Sequence, residues 1–269
     1  MRYSVCSIIM AEHGPEEAAE LAGRYGYDGI EWRVHPGGHF APVELPAAAS
    51  RMRRLAEDHG LEIPALAAYV ELGALGEGEE QALEELARVA EAAELAGARL
   101  FRVWAPAYDG STPYGTLFDR ARRGLEKAEA AARRHGVKAA VEIHLGGITP
   151  SAGLARRLVE GFDPAHVGLI HDPANLIYEG FENWRMGLEL IGEYLAHVHV
   201  KNAAWLRGPD GRWRCESAPL AQGQVEWPAV AAELRRAGYD GWLSLEDFSG
   251  QPVEDRLRSG IAFLHHLGG

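Results

Sequence analysis

Apolar and polar positions along this chain change period repeatedly. "YSVCSII", "YDGIEWRV", "LEIPALAAYV", "ARLFRVWAP", "VKAAVEIH", "HVGLIHDP", "LAHVHVKN" and "GWLSLEDF" are short and mostly rich in β-branched and aromatic residues, as buried strands are. Between them the apolar residues recur every three to four positions, the period of an amphipathic helix. "PEEAAELAGRYG" opens on Pro and acids and closes on Gly, and Ser151 stands where it can cap the helix "SAGLARRLVEG". Several helical segments end in "YG", "HG" or "AG" just before the next strand, which predicts glycine C-caps. Eight strands alternating with eight helices, with no Pro/Gly/Ser-rich linker, predict a closed (β/α)8 TIM barrel as one domain over residues 1–269. An open doubly wound sheet is the alternative. It needs a glycine-rich phosphate turn after the first strand, and "IIMAEHG" is not one.

Composition narrows this only slightly. A length of 269 residues suits one such barrel, and 47% hydrophobic residues can build a large core. The net charge of -12 argues against a nucleic-acid-binding surface. Cys6 and Cys215 lie far apart and form no disulfide pattern, which fits a reducing compartment. The N-terminal apolar run is short and soon meets acids, unlike a signal peptide, and no segment has the ~20 apolar residues of a membrane span. The expectation is a cytoplasmic protein, with no nucleic-acid or membrane partner and with homo-oligomerisation open.

Chemistry in such a barrel belongs at the C-terminal strand ends. Those ends carry Glu31, Trp32 and Arg33 on the second strand, Tyr69 and Glu71 on the third, and Arg102 and Trp104 on the fourth. Glu142 and His144 follow on the fifth, His171, Asp172 and Asn175 on and after the sixth, His197, His199 and Lys201 on the seventh, and Glu246 and Asp247 on the eighth. Glu142, Asp172, His199 and Glu246 occupy equivalent places in four successive units. Three carboxylates gathered without a cation would force at least one to protonate, so these four predict a divalent metal site. Three oxygen ligands and one imidazole favour Mn²⁺ first, with Mg²⁺, Co²⁺ or Zn²⁺ as alternatives.

The motifs "VEIH", "HDPAN", "HVHVKN" and "LSLED" resemble those of the xylose isomerase-like TIM-barrel superfamily, the sugar phosphate isomerases and epimerases. The resemblance covers essentially the whole chain. It implies that Glu142, Asp172, His199 and Glu246 hold the metal, with His197 packing behind His199. In the related ketose epimerases the two ligand glutamates also move protons on opposite faces of the substrate. That implies a metal-dependent sugar isomerase or epimerase in which Glu142 and Glu246 exchange a proton beside a carbonyl, with His144 as a further acid or base.

Trp32, Arg102, Trp104, Asn175 and Lys201 are expected to bind a small sugar or polyol substrate, with Trp205 and Phe248 near the rim. The strand-four Arg, "E-x-H" and "VKN" also resemble the dehydroshikimate dehydratases, but Asn175 stands where that subgroup has a histidine. A dehydratase of the dehydroshikimate or inosose type is therefore the second expectation. A non-catalytic sugar-binding module and a DNA-repair endonuclease come after it. The long connection 201–226, with "GPDG" inside it, reads as a hairpin or lid over the site. No glycine-rich phosphate cradle follows the last two strands, so an unphosphorylated keto-sugar, inosose or sugar acid is expected in preference to a phosphate ester.

Overall fold

The computed structural model describes residues 1–179 and 182–268, with the Glu77 side chain left aside. Eight parallel strands close into a barrel: β1 (Arg2–Cys6), β2 (Gly29–Arg33), β3 (Ala65–Glu71), β4 (Leu100–Trp104), β5 (Lys138–Glu142), β6 (Val167–His171), β7 (Leu195–Val200) and, after a surface hairpin, β10 (Trp242–Leu245). β10 pairs with β1 and so completes the ring. The hairpin strands are β8 (Asn202–Arg207) and β9 (Trp213–Ala218). The helices are α1 (Pro15–Arg24), α2 (Ala49–Asp58), α3 (Leu72–Glu77), α4 (Glu80–Ala96), α5 (Tyr114–Arg134), α6 (Ala152–Val159), α7 (Pro173–Glu179), α8 (Trp184–Ile191), α9 (Trp227–Arg236) and α10 (Val253–Gly268). This is the expected (β/α)8 barrel. Among the described residues no helix is long and apolar enough to cross a membrane.

The local signals work as anticipated. Ser151 Oγ accepts from the Leu154 amide at 3.3 Å and caps α6. Gly97 closes α4 at φ 78°, a conformation that costs other residues a Cβ clash. Two short helices add to the alternation. α3 follows β3 and lies tightly on α5: a Cβ at Gly124 would stand 2.1 Å from the Leu72 carbonyl oxygen, so only glycine permits that crossing. α7 begins directly after β6, and its start matters for the site.

Alternation along each strand divides the molecule into two zones. Outward residues such as Phe101, Val141, Leu169, Val198 and Leu245 meet the helices in the large apolar layer. The lower barrel interior is a separate small plug of Ala65, Leu100, Ala140 and Ile170. Above that plug the inward positions turn polar, and the candidate residues are found there.

Candidate metal centre and active site

On β4, β5 and β6 the candidate side chain is the next inward residue above the apolar plug, and β7 and β10 bring theirs to the same level. Arg102 follows Leu100, Glu142 follows Ala140, Asp172 follows Ile170, and Ser244 is followed by Glu246. On β7 a register irregularity sets His197 opposite Ile170, and His199 and Lys201 continue on the same face. The result is that Glu142, Asp172, His199 and Glu246 each bring a ligand atom to within 4.8 Å of the others, and all four are buried. A second cluster joins Glu31, His197 and His199 just beside them.

The local structure explains why these atoms aim as they do. Asp172 is the N-cap of α7. Its Oδ1 accepts from the amides of Ala174 (3.0 Å) and Asn175 (3.1 Å), which leaves Oδ2 turned to the centre, 2.6 Å from Lys201 Nζ. "HDP" is thus both a helix cap and a site motif: one oxygen serves each role. Glu142 is held by the Arg102 guanidinium at 2.6 Å and the Asn175 amide at 3.2 Å. Its Oε1 lies 3.4 Å from His199 Nδ1. Lys201 Nζ sits 3.0 Å from Glu246 Oε2 and 3.9 Å from Glu142 Oε1. The ammonium therefore lies among three of the four carboxylates and imidazoles expected to hold a cation.

The electrostatics follow from this crowding. Burial raises the Glu142 carboxyl, but Arg102, His199 and Lys201 together overcome it and hold the group well below the ordinary carboxylate range. Burial pushes Asp172 up, Lys201 opposes it, and Glu142 and Glu246 add to it; the group titrates at about 6. Burial alone would lower His199, yet Glu31, Glu246 and Glu142 raise it well above a free imidazole. Burial would likewise lower Lys201, and Asp172, Glu246 and Glu142 raise it instead. Cys6 faces the same mouth; burial, Glu31 and Glu246 raise its thiol well above normal, so it stays protonated. Four carboxylates (Glu31, Glu142, Asp172 and Glu246) are buried here against two fixed cations, Arg102 and Lys201. That excess of negative charge and the oxygen-rich donor set fit a divalent cation.

The structure places the expected substrate binders in different ways. Trp104 is half-buried at the mouth, 4.6 Å from the His144 ring, and the Arg102 guanidinium lies 4.7 Å from its ring centre. These two rings line a cavity of about 110 Å³ together with Glu142, Gly147 and Thr149. Lys201 edges the mouth from the other side, 5.7 Å from the Phe248 ring. Asn175, expected to reach substrate, is buried and spends its amide protons on Glu142 and the Ile143 carbonyl (3.0 Å). It braces Glu142 rather than lining open space. Arg102 is committed through Nη1 to Glu142 and through Nε to the Ala68 carbonyl (3.0 Å), while its buried Nη2 has no hydrogen-bond partner among the described residues.

Trp32 corrects the sequence expectation. It points away from the barrel axis, fully buried against Phe40 and His39 in the helix layer. Its neighbours on β2, Glu31 and Arg33, take the inward positions. Glu31 accepts from Ser244 Oγ at 2.7 Å and from the Nε2 atoms of His197 and His199, each at 3.2 Å. Arg33 stands one step above it, beside the Tyr69 hydroxyl at 3.3 Å. Period-two alternation in "GIEWR" carried this signal, since Glu31 and Trp32 cannot share a face. Asp247, placed at the rim from sequence, faces outward like Trp32 and accepts from the Ser249 amide. The 201–226 connection does form a hairpin, and Trp205 Nε1 docks it to the Ile177 carbonyl at 2.7 Å, beside the residues that follow Asp172.

Comparison with known proteins adds an independent line. The sequence profile of the xylose isomerase-like TIM barrel family matches residues 19–267. A 2-epi-5-epi-valiolone 7-phosphate 2-epimerase from Actinoplanes sp. is 28% identical over 195 residues, 71% of this chain and 69% of that protein. The IolI protein, solved with a bound zinc atom, superposes with a TM-score of 0.81 at 17% identity, covering 99% of this chain and 98% of that one. The probable 3-DHS dehydratase AsbF from Bacillus anthracis gives a TM-score of 0.79 at 20% identity over 98% of this chain and 99% of that one.

Proposed function

Because the chain belongs to the xylose isomerase-like TIM barrel family, we propose that it is a divalent-metal-dependent sugar epimerase or isomerase. The substrate would be a keto-sugar, inosose or related polyol. The observation that carries this reading is the meeting of Glu142, Asp172, His199 and Glu246 around one point at the barrel mouth. Those four residues would hold the cation, Mn²⁺ by preference, and when bound it polarises a carbonyl and so acidifies the adjacent C–H.

Two carboxylates in one small space can then divide the proton work. Glu142 is kept ionised by Arg102 and is ready to accept a proton. Glu246 approaches from the end of β10, with the Lys201 ammonium donating to its Oε2 at 3.0 Å. Removal by one glutamate and return by the other inverts a stereocentre; return at the neighbouring carbon isomerises it. Trp104 and His144 supply an aromatic wall for the C–H face of a sugar. The epimerase named in Actinoplanes supports this class of reaction.

The test is proton exchange. Purified protein loaded with Mn²⁺ or Mg²⁺ and incubated with keto-sugars and inososes in D₂O should place deuterium beside the carbonyl of the true substrate. Loss of water without a returned proton would instead mark the dehydratase chemistry of the AsbF relative. No exchange with any such compound, on a metal-replete protein, rejects the enzyme reading. Substrate charge is a separate question. Arg102 and Lys201 are both neutralised by site carboxylates, which supports an unphosphorylated substrate over a phosphate dianion. The Actinoplanes relative carries a phosphate in its substrate's name, so paired kinetics with and without the phosphate decide the matter. A higher kcat/KM for the ester would overturn this preference.

A further inference from the structure

Glu31 has no part in the proton chemistry above, yet it is as deeply enclosed as any acid of the barrel mouth. It is fully buried, as are His197, His199 and Ser244 around it. An isolated carboxylate at such depth is costly, so its surroundings must supply donors. Three are in place: Ser244 Oγ at 2.7 Å and the Nε2 atoms of His197 and His199 at 3.2 Å. Because a carboxylate only accepts, both imidazoles present a proton at Nε2. The other nitrogen of His199, Nδ1, faces the opposite way, 3.4 Å from Glu142 Oε1 and 3.7 Å from Glu246 Oε2.

We propose that Glu31 is a positioning residue: it holds the Nε2–H of His199, so that Nδ1 is the nitrogen turned to the cation site and left to bind the metal. The inference rests on the metal-centre reading and assigns the residue that orients its single imidazole. The alternative use of the same side chains is a second metal held by Glu31, His197 and His199. In that case both Nε2 atoms would have to be unprotonated, and the Ser244 hydroxyl, already donating at 2.7 Å, would compete for the same oxygen.

The amide variant separates these possibilities. In Glu31→Gln the side chain presents an NH₂ as well as a carbonyl, so it can satisfy one imidazole proton but opposes the other. His199 is then free to place its proton on Nδ1, in the path of the metal. Titration calorimetry with Mn²⁺ should show a 10–100-fold weaker Kd, the usual scale for losing the partner of a ligand histidine. His197→Gln leaves the Glu31–His199 bond intact and should shift Kd by no more than about threefold on the same scale. Glu31→Asp keeps the charge and should fall between wild type and Glu31→Gln.

Nitrogen-15 NMR of the histidine rings reads the tautomer directly and does not depend on turnover. In wild type the Nε2–H of His199 should be visible and slow to exchange, with or without metal; in Glu31→Gln that signal should be lost or move to Nδ1. If the variant does not fold, the wild-type spectrum and Glu31→Asp still decide. The proposal is overturned by an unprotonated Nε2 in wild type, by unchanged Mn²⁺ affinity in folded Glu31→Gln, or by two metals per chain of which one departs with Glu31. Failure of the functional reading looks different: wild type would then bind no Mn²⁺ at the four-residue centre, while the Nε2–H signal would persist.

Discussion

The two faces of the same strands obey opposite rules. Val141 and Glu142, Val198 and His199, Leu245 and Glu246 are sequence neighbours, equally buried, and held by the same backbone ladder. The outward member of each pair packs into a continuous apolar layer, where the gain comes from area removed from water. The inward member gains nothing from burial and is tolerated only because Arg102, Lys201 and its own neighbours satisfy it. One face is built for stability and the other stores unfavourable electrostatics for use. Substitutions on the two faces should therefore fail in different currencies.

The largest expected effect is on the inner face. Glu142→Gln keeps an oxygen for the cation but cannot take a proton, so kcat should fall by about 10²–10⁴-fold. Calorimetry should show metal affinity retained within about an order of magnitude. Near-native turnover would leave Glu142 a ligand only. On the outer face Leu245→Ala should do the reverse, costing about 2–5 kcal/mol in urea denaturation with its cavity unfilled. The metal stoichiometry of the folded fraction should be unchanged.

Acid should act on both faces, in distinguishable ways. On the outer face of β6, burial lowers His171 to about 4 from its ordinary 6.5, and neither ring nitrogen has a partner among the described residues. Between those two values the unfolded chain binds a proton that the folded chain refuses, so this contribution to stability is lost as pH falls from 6.5 towards 4. Denaturation midpoints measured across that window should fall less steeply for His171→Leu than for wild type; equal slopes would refute the assignment. On the inner face, Asp172 at about 6 makes protons compete with the cation, so Mn²⁺ affinity should weaken as pH drops below that value. Calorimetry in buffers of different ionisation heat should detect the released proton.

The smallest effect on activity is expected at Trp32. Trp32→Phe removes an indole whose nitrogen has no hydrogen-bond partner among the described residues and whose ring lies in the outer layer. Stability should drop by about 1–3 kcal/mol through imperfect repacking, while kcat/KM should stay within about twofold. A large loss of substrate binding would put Trp32 back at the mouth and break the division between faces.

Sequence alone determined the strand and helix periods, the glycine stops at helix ends, the Ser151 cap and the strand-end polar positions. Each of these is a local property, written in residues a few positions apart. It also held the face of the β2 residues: strict alternation in "GIEWR" places Glu31 opposite Trp32, so only one of the two can face the barrel axis. Closure of the barrel decided the rest. Glu31 meets Ser244 across 213 positions of chain and His199 across 168, pairings that no local pattern encodes. The second role of Asp172 likewise depends on where α7 begins, and the placement of Asn175 depends on Glu142 standing on the adjacent strand. Periodicity says which way a side chain points; only the ring of strands, by bringing distant ends to one axis, says what it meets there.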